Sequence, residues 1–320
     1  MDAGRLPGPD AGDIESLLRF AILAPSSHNT QPWRFRIDGM RVSLRADRAR
    51  ALAVNDLDGR ELTISCGCAL MNLRVAAARA GMTSDVRLFP EPEDEALLAA
   101  VDLRSGQADP DLAALFPAIE GRRTYRTGFK RKAVRHETLE RLGASAGAEG
   151  AWLEVLDAEA QRHAVAALVS EGDAMQWSNV SWRRELAAWM HPRRSGDGLA
   201  VPALAGPITR MVVRTFDMGK RVGARDRRLA SESPVLAVLG TKLDGAEDWM
   251  RSGQALERVL LAACLGGLQA SYLNQPIQVA SLRPGLHRLV GSARPHRVLL
   301  RPAYPYSLLP ALSLPSFYLA

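Results

Sequence analysis

The run Ala24-Pro25-Ser26-Ser27-His28-Asn29-Thr30-Gln31-Pro32-Trp33 sets three hydroxyls, two amides and an imidazole between two prolines. Proline fixes φ and lacks an N–H, so regular structure stops at both ends and the backbone donors between them stay available. Such a loop is equipped to hold a polar heterocycle or a ribityl chain, and it also reads as a plain polar helix-to-strand connector. A second group is Gly121-Arg122-Arg123-Thr124-Tyr125-Arg126, since the planar arginine fork suits phosphate and carboxylate. A third is the amide-rich turn Leu273-Asn274-Gln275-Pro276-Ile277-Gln278. His28 and His191 are candidate proton donors, although histidines in such positions more often make structural hydrogen bonds. Cys66, Cys68 and Cys264 read as small core residues. A Cys66–Cys68 bridge would be strained, and no second pair has metal-ligand spacing, so no metal is expected. No Gly-x-Gly-x-x-Gly follows a strand and no Walker string occurs.

The elements that must position these groups are legible from periodicity. Leu17, Leu18, Ala21 and Ile22 predict a helix over Asp13 to Ala24 with Asp13 as N-cap. Alternation predicts strands over Trp33–Ile37 and Val42–Ala46, joined through Asp38-Gly39. A long apolar helix, Glu61 to Ala80, ends at Gly81 in the C′ position, and strands follow near Val86–Phe89 and Ala96–Leu103. The order then repeats: helix Glu137–Leu142, strand Trp152–Leu156, strand Val235–Gly240, helix Trp249–Leu265, strand Arg297–Arg301.

The two long helices superpose in sequence at an offset of 186, with Gly67 on Gly253, Ala69 on Ala255, Leu70 on Leu256, Ala76 on Ala262, Ala77 on Ala263 and Gly81 on Gly267. This suggests an internal duplication. Trp33 and Trp152 align at 119, so about 67 residues are inserted in the second half, between about 165 and 231. The insertion carries Trp177, Trp182 and Trp189 and then dissolves into Pro192, Gly196, Gly198, Pro202, Gly206 and Pro207. A helix followed by a long irregular loop predicts a lid or binding segment.

The first string closely resembles the Pro-Ser-Ser-x-Asn-x-Gln-Pro-Trp signature of FMN-dependent nitroreductases. Arg122-Arg-Thr-Tyr-Arg126 resembles the Arg-x-Ser-x-Arg/Lys string that opens a nitroreductase subunit, and Trp249 to Leu261 through Leu273 to Ile277 resembles the fused, tandem-domain Acg-like branch. The resemblance implies an α+β fold of two nitroreductase-like halves, each a mixed sheet flanked by helices, fused as a pseudo-dimer: 1–118 and 119–320, the latter with the lid insertion. It implies one FMN per chain, because the counterpart of the Pro-Ser-Ser loop falls on Ala144 to Ala148 and the N-terminus has no Arg-x-Ser-x-Arg. It further implies that Pro25, Ser26, Ser27 and Asn29 hold the flavin, that Arg122 binds its phosphate with Thr124 assisting, and that Arg126 faces the pyrimidine edge. The turn Gln275, Pro276, Ile277 and Gln278 would point a backbone N–H at flavin N5, with Arg225 and Arg228 as further pyrimidine contacts. The family usually has an acid where this chain has Gln278, and basic C-terminal residues on the phosphate. Here Tyr304 to Ala320 has none, leaving Arg301, or Arg123 and Arg221 in compensation. The activity implied is NAD(P)H-driven two-electron (hydride) reduction of an electron-poor small molecule. Two alternatives share the same cradle: a flavin-sequestering protein with an occluding lid and no NAD(P)H turnover, and a dehydrogenase or tailoring enzyme dedicated to one metabolite.

Composition narrows the partners. The chain has 320 residues, 47% hydrophobic and 24% charged, with 41 Lys+Arg against 35 Asp+Glu. The excess sits in one region, since Arg183 to Arg228 holds eleven basic and four acidic residues. That distribution argues against nucleic acid and membrane as partners. Without an export signal or an apolar run of about 20 residues, a cytoplasmic protein is expected. A monomer would suffice for one flavin site, and a further homodimer is compatible with it.

Overall fold

The computed structural model describes residues 8–191, 196–202, 205–291 and 294–306; the tail expected to lack phosphate-binding residues lies mostly outside them. The order is α1 (Ile14–Ala21), β1 (Trp33–Asp38), β2 (Arg41–Ala46), α2 (Arg60–Arg79), β3 (Met82–Leu88), β4 (Leu97–Ser105), α3 (Pro110–Leu115), α4 (His136–Gly147), β5 (Trp152–Leu156), α5 (Glu159–Ser178), α6 (Val180–Ala188), β6 (Met190–His191), β7 (Leu199–Ala200), α7 (Gly206–Thr215), α8 (Gly219–Ser231), β8 (Leu236–Gly240), α9 (Ala246–Leu265), β9 (Gln269–Tyr272), α10 (Gln275–Gln278), α11 (Arg283–Val290) and β10 (His296–Ala303).

Local signals act where expected. The Asp13 carboxylate accepts from Glu15 N–H and caps α1. Gly39 takes the first position of a two-residue turn at φ +57, closing the Asp38↔Arg41 pair, one residue later than Asp38-Gly39 suggested. Gly81, at φ +78, ends α2.

Two four-stranded sheets form, ordered β1-β2-β4-β3 and β5-β8-β10-β9. Matching strands by chain position, the two orders are the same. Every strand pair in both is antiparallel, which corrects the expected mixed sheets; among the described residues, parallel pairing is confined to β6 with β7 and to a single bridge between Thr124 and Ala270. The sheets differ in how they are covered. In the first, the edge strand β3 alternates shielded with exposed positions, the mark of a strand with one wet face, and the central β4 is buried from Leu97 to Val101. In the second, β8 and β10 are buried along their whole length, because α5, α8, α10 and α11 pack Val165, Val169, Ala230, Ile277 and Leu286 against the outer face.

The main core lies between the halves, where α2 crosses α9. Eighteen of the twenty α2 residues are buried, so α2 is enclosed on all sides between two layers, with polar groups such as Glu61 and Asn72 buried along it. At the crossing, a Cβ added to Gly253 would lie 2.0 Å from Ile64 O and 2.7 Å from the Gly67 Cα. The glycine pair lets the two backbones touch. Near it a buried ion cluster fastens the end of α4, since Glu149 accepts from Arg74 at 2.6 Å and from Arg258 at 2.7 Å.

Strand register relocates the insertion. Trp33 pairs Ala46 while Trp152 pairs Gly240, so the offset rises from 119 to 194 before settling at 186 in the helices. The extra segment is therefore 75 residues, between β5 and β8, and a connection eight residues shorter follows β8. It is irregular only in part: between α6 and α7 the described residues form just the two-residue strands β6 and β7, along the run rich in glycine and proline. Helices α6 and α7, with the end of α5 and the start of α8, enclose an apolar cluster of their own, with Trp177, Leu186, Met190, Val201, Val213 and Val222, while the rest of α5 and α8 packs in the second half's core. Among the described residues no helix is long and apolar enough to cross a membrane.

Candidate functional site

The loop after α1 is held in an uncommon backbone state. His28, Asn29 and Gln31 sit at φ +50, +55 and +51, each costing on the order of 1–3 kcal/mol for a residue with a Cβ. The neighbours that impose this state are identifiable. Ser26 Oγ accepts from Gln31 N–H at 2.9 Å, and Ser27 Oγ donates to Glu61 Oε2 at 2.7 Å. Asn29 Nδ2 donates to the carbonyls of Gly196 and Gly198, both at 3.2 Å, and Gln31 Nε2 to Gly196 O at 3.0 Å. Gly198 N–H returns a bond to Asn29 O at 2.9 Å, and Arg50 ties Thr30 O to Asp197. The insertion is thus seated on the loop of the opposite half. Asn29 and Gln31 spend their side-chain amides on that seat, whereas the motif leads one to expect Asn29 on a cofactor.

The arginine string lies along the edge of the second sheet, with Tyr125 N–H bonded to Ala270 O at 2.9 Å. Arg122 is buried. Its Nη2 donates to Leu23 O at 2.9 Å, at the end of α1, and its Nε stands 3.3 Å from Glu257 Oε1 on α9. Burial pushes the Glu257 carboxyl up to about 7, against the pull of Arg122. Arg126 is exposed beside His28: burial first, then the Arg126 charge, lowers the His28 imidazole to about 4. A neutral imidazole at physiological pH has no proton ready to give, so His28 does not fit the donor role. His191 lies in the insertion with Nε2 3.4 Å from Asp197 Oδ1, on the seat just described.

The turn Gln275–Gln278 forms one short helix. Pro276 and Ile277 are buried, and Ile277 O accepts from Arg60 and Arg283. Gln278 Nε2 donates to Glu61 Oε1 at 2.8 Å, and its Oε1 accepts from Gln176 of α5 at 2.7 Å. A carboxyl therefore stands one hydrogen bond from position 278 although the residue there is an amide. Gln275 Nε2 reaches Asp173 of α5 at 3.1 Å and Asp226 of α8 at 3.2 Å. Burial, then the Asp226 charge, raises Asp173 to about 8; burial also raises Asp226, partly offset by Arg225 and Arg301.

Other expected contacts do not converge. Arg301 is 2% exposed and donates to Ser271 Oγ, Leu229 O and Thr127 O while lying over the Phe129 ring. It is a brace inside the second sheet, not a surface cation for phosphate. Arg228 is exposed and pairs loosely with Glu232, at 3.9 Å, one turn along α8. Arg225 alone of that pair approaches the site, donating to Arg126 O at 3.2 Å. Arg123 turns back onto Arg122 O, and Arg221 is exposed on α8.

Sequence reasoning missed Glu61, Asp173, Asp226 and Tyr272. An acid in the first turn of a helix is ordinary, favoured by the dipole alone, so nothing in the sequence marks Glu61 out. Asp173 and Asp226 lie on helix faces that only the folded insertion brings together, and Tyr272 lies on a strand whose neighbours Arg122, Cys68 and Glu257 come from distant segments.

These buried carboxyls carry a pH prediction. Glu257 and Asp173 have folded-state values above their unfolded ones, so the stability they contribute is complete at low pH and is lost as pH rises through about 7 and about 8. The buried histidines act in the opposite direction, but only below about 6.5. Thermal melting should therefore fall as pH rises from about 6.5 to about 8, and Asp173→Asn should flatten that slope; an unchanged slope would count against its burial as the cause.

No protein-family model matches the chain. A Mycobacterium tuberculosis protein provisionally named NAD(P)H nitroreductase Rv3131 is 31% identical over 298 residues, 92% of this chain and 85% of the relative. A second from the same organism, provisionally named NAD(P)H nitroreductase Acg, is 30% identical over 292 residues, 90% of this chain and 88% of the relative. Among solved structures, a nitroreductase with bound FMN from Bacteroides fragilis overlaps 64% of this chain and 97% of its own at 14% identity and TM-score 0.40, too loosely to speak for the fold.

Proposed function

Because the chain belongs to the NAD(P)H nitroreductase family, we propose that it is an FMN-dependent oxidoreductase with one flavin site, built between two nitroreductase-like halves fused as a pseudo-dimer. The observation that carries this reading is the convergence of segments from both halves. Arg122 of the second half bonds the end of α1 in the first, and Ser27 of the first meets Gln278 of the second through Glu61. The shared sheet order and the Gly67–Gly253 contact support the pseudo-dimer. The single site is supported by the mirror segment, which lies in the last turn of α4, where Ala148 N–H bonds Ala144 O and no open polar loop exists.

The residues present fit a polar ring system. His28 Nδ1, Tyr272 Oη, Gln275 Oε1 and Asp173 Oδ2 are buried without a hydrogen-bond partner, and buried polar atoms left so cost about 1–3 kcal/mol each. When bound, FMN would supply the two-electron chemistry, accepting hydride from NAD(P)H and passing it to an electron-poor acceptor. The chain's own contribution is placement and charge. Ser26 and Ser27 fix the loop, Arg122 supplies a cation for the phosphate, and exposed Arg126 offers positive charge where a reduced ring would carry negative charge. The insertion, through Gly196 and Gly198, limits access from the side of Asn29.

Two measurements test this. Purified protein should be yellow with one FMN per chain, and two would overturn the single site. Anaerobic NADPH or NADH should bleach the flavin within turnover times; reduction by dithionite alone would favour sequestration under the seated insertion.

A further inference from the structure

The Glu61 carboxylate is the point where three parts of the molecule meet. It is 7% exposed, at the N-terminus of α2. Its Oε2 accepts from Ser27 Oγ at 2.7 Å and Asn55 Nδ2 at 3.2 Å, and its Oε1 accepts from Gln278 Nε2 at 2.8 Å. Both outer partners are gripped by the insertion. Gln278 Oε1 accepts from Gln176 of α5, and Asn55 Oδ1 accepts from Trp182 Nε1 of α6 at 2.9 Å. Glu185 of α6 closes the ring by accepting from the backbone N–H of Val54 at 2.8 Å and of Asn55 at 2.9 Å. Each amide has its donors and acceptors assigned by these contacts: Gln278 must donate to Glu61 because its oxygen is taken, and Asn55 likewise. Only a residue that accepts on both oxygens satisfies the centre.

We propose that Glu61 is a positioning residue of the flavin site, locking the Ser27 loop and the Gln278 turn in one geometry and coupling both to the seat of the insertion. This rests on the FMN reading for its cofactor and extends it by assigning a role to a residue remote in sequence from every flavin motif. The carboxylate acts through its neighbours and provides no bond to the reacting atoms.

The test is an exchange of acid and amide. In Glu61→Gln one amide orientation sets N–H groups against Gln278 Nε2, and the other sets them against Ser27 and Asn55. FMN should bind about tenfold more weakly, the loss expected for one mismatched buried polar contact, and the flavin midpoint potential should rise because a nearby negative charge is gone. Gln278→Glu places two carboxylates in contact and should weaken FMN at least as much, with a new pH dependence as one of them takes a proton. The double variant Glu61→Gln/Gln278→Glu restores the match: the amide now at position 61 accepts from Ser27 and Asn55 and donates to the carboxylate now at position 278, which still accepts from Gln176. Its FMN affinity should return to within about threefold of the parent. Losses that simply add in the double variant, or an unchanged affinity and potential in Glu61→Gln, would overturn the proposal. If Glu61→Gln does not fold, the matched double variant should, and its failure to fold is equally an overturning result. A parent chain that binds no FMN refutes the flavin reading alone. Deuterium exchange of α5 and α6 then reads the coupling, with protection falling in Glu61→Gln and returning in the double variant.

Discussion

Arg122→Ala should lose both stability and flavin, and the two losses should separate. In the folded chain Arg122 is the cation facing Glu257, which is fully buried on α9. Removing one member of a buried pair typically costs about 3–5 kcal/mol because the other charge is left uncompensated, and Glu257 would then have to hold a proton across the neutral range. The loss of the bond to Leu23 O loosens the end of α1 as well. Adding Glu257→Gln removes the stranded charge, so the double variant should recover most of the denaturation midpoint. FMN occupancy should not recover with it, because no other buried cation reaches that place among the described residues: Arg301 is committed inside the second sheet and Arg123 turns back on the backbone. Flavin content measured on both variants decides the matter. Occupancy that returns together with stability would mean that Arg122 serves the fold and not the phosphate.

Gly253→Ala is expected to be among the most damaging single-methyl changes at the described glycines. The added carbon would meet Ile64 O at 2.0 Å, the Gly67 Cα at 2.7 Å and Cys68 N at 2.9 Å, all backbone. No side chain can swing aside, so α2 and α9 must move apart along a face that joins both halves. Overpacking usually costs about 1–3 kcal/mol, and a rigid helix crossing belongs at or above the top of that range. Gly67→Ala, with 2.4 Å to Met250 O, should behave similarly. Because the two glycines share one contact, the double variant should cost clearly less than the sum of the singles in urea denaturation; strict additivity would show that the crossing is not one shared constraint.

How much of the molecule is legible in its sequence depends on whether the information is local. Caps, turn glycines and periodic apolar stripes report on nearest neighbours, which is why α1, α2, β5 and α9 fall where the pattern sets them. The repeat of Gly67 at Gly253 is visible as a sequence match, and only the structure shows that the matched residues touch. The insertion declares itself by its aromatic residues, and the glycines and prolines before α7 mark its irregular part, but nothing in the sequence shows that α7 and α8 turn their apolar faces onto Trp177. Strand direction and the burial of Arg301 are invisible in the sequence because they depend on partners far away along the chain. Glu61 illustrates the same limit. Its type and position are commonplace, and its significance comes from Ser27, Asn55 and Gln278, which only tertiary structure brings together.

The enclosure of α2 on every side has a consequence for biosynthesis. During synthesis the first sheet and α2 leave the ribosome long before α9 exists, and the Glu61–Gln278 bond waits for a segment 217 residues further on. Contacts of such separation form late and slowly. In that interval the Gly67 face of α2 has nothing to cover it, and an uncovered apolar helix beside open strand edges is the kind of surface that associates wrongly. A nascent chain arrested before α9 therefore exposes a helix face that the finished chain buries, whereas a homodimer assembled from two finished subunits meets its partner helix as soon as the two collide.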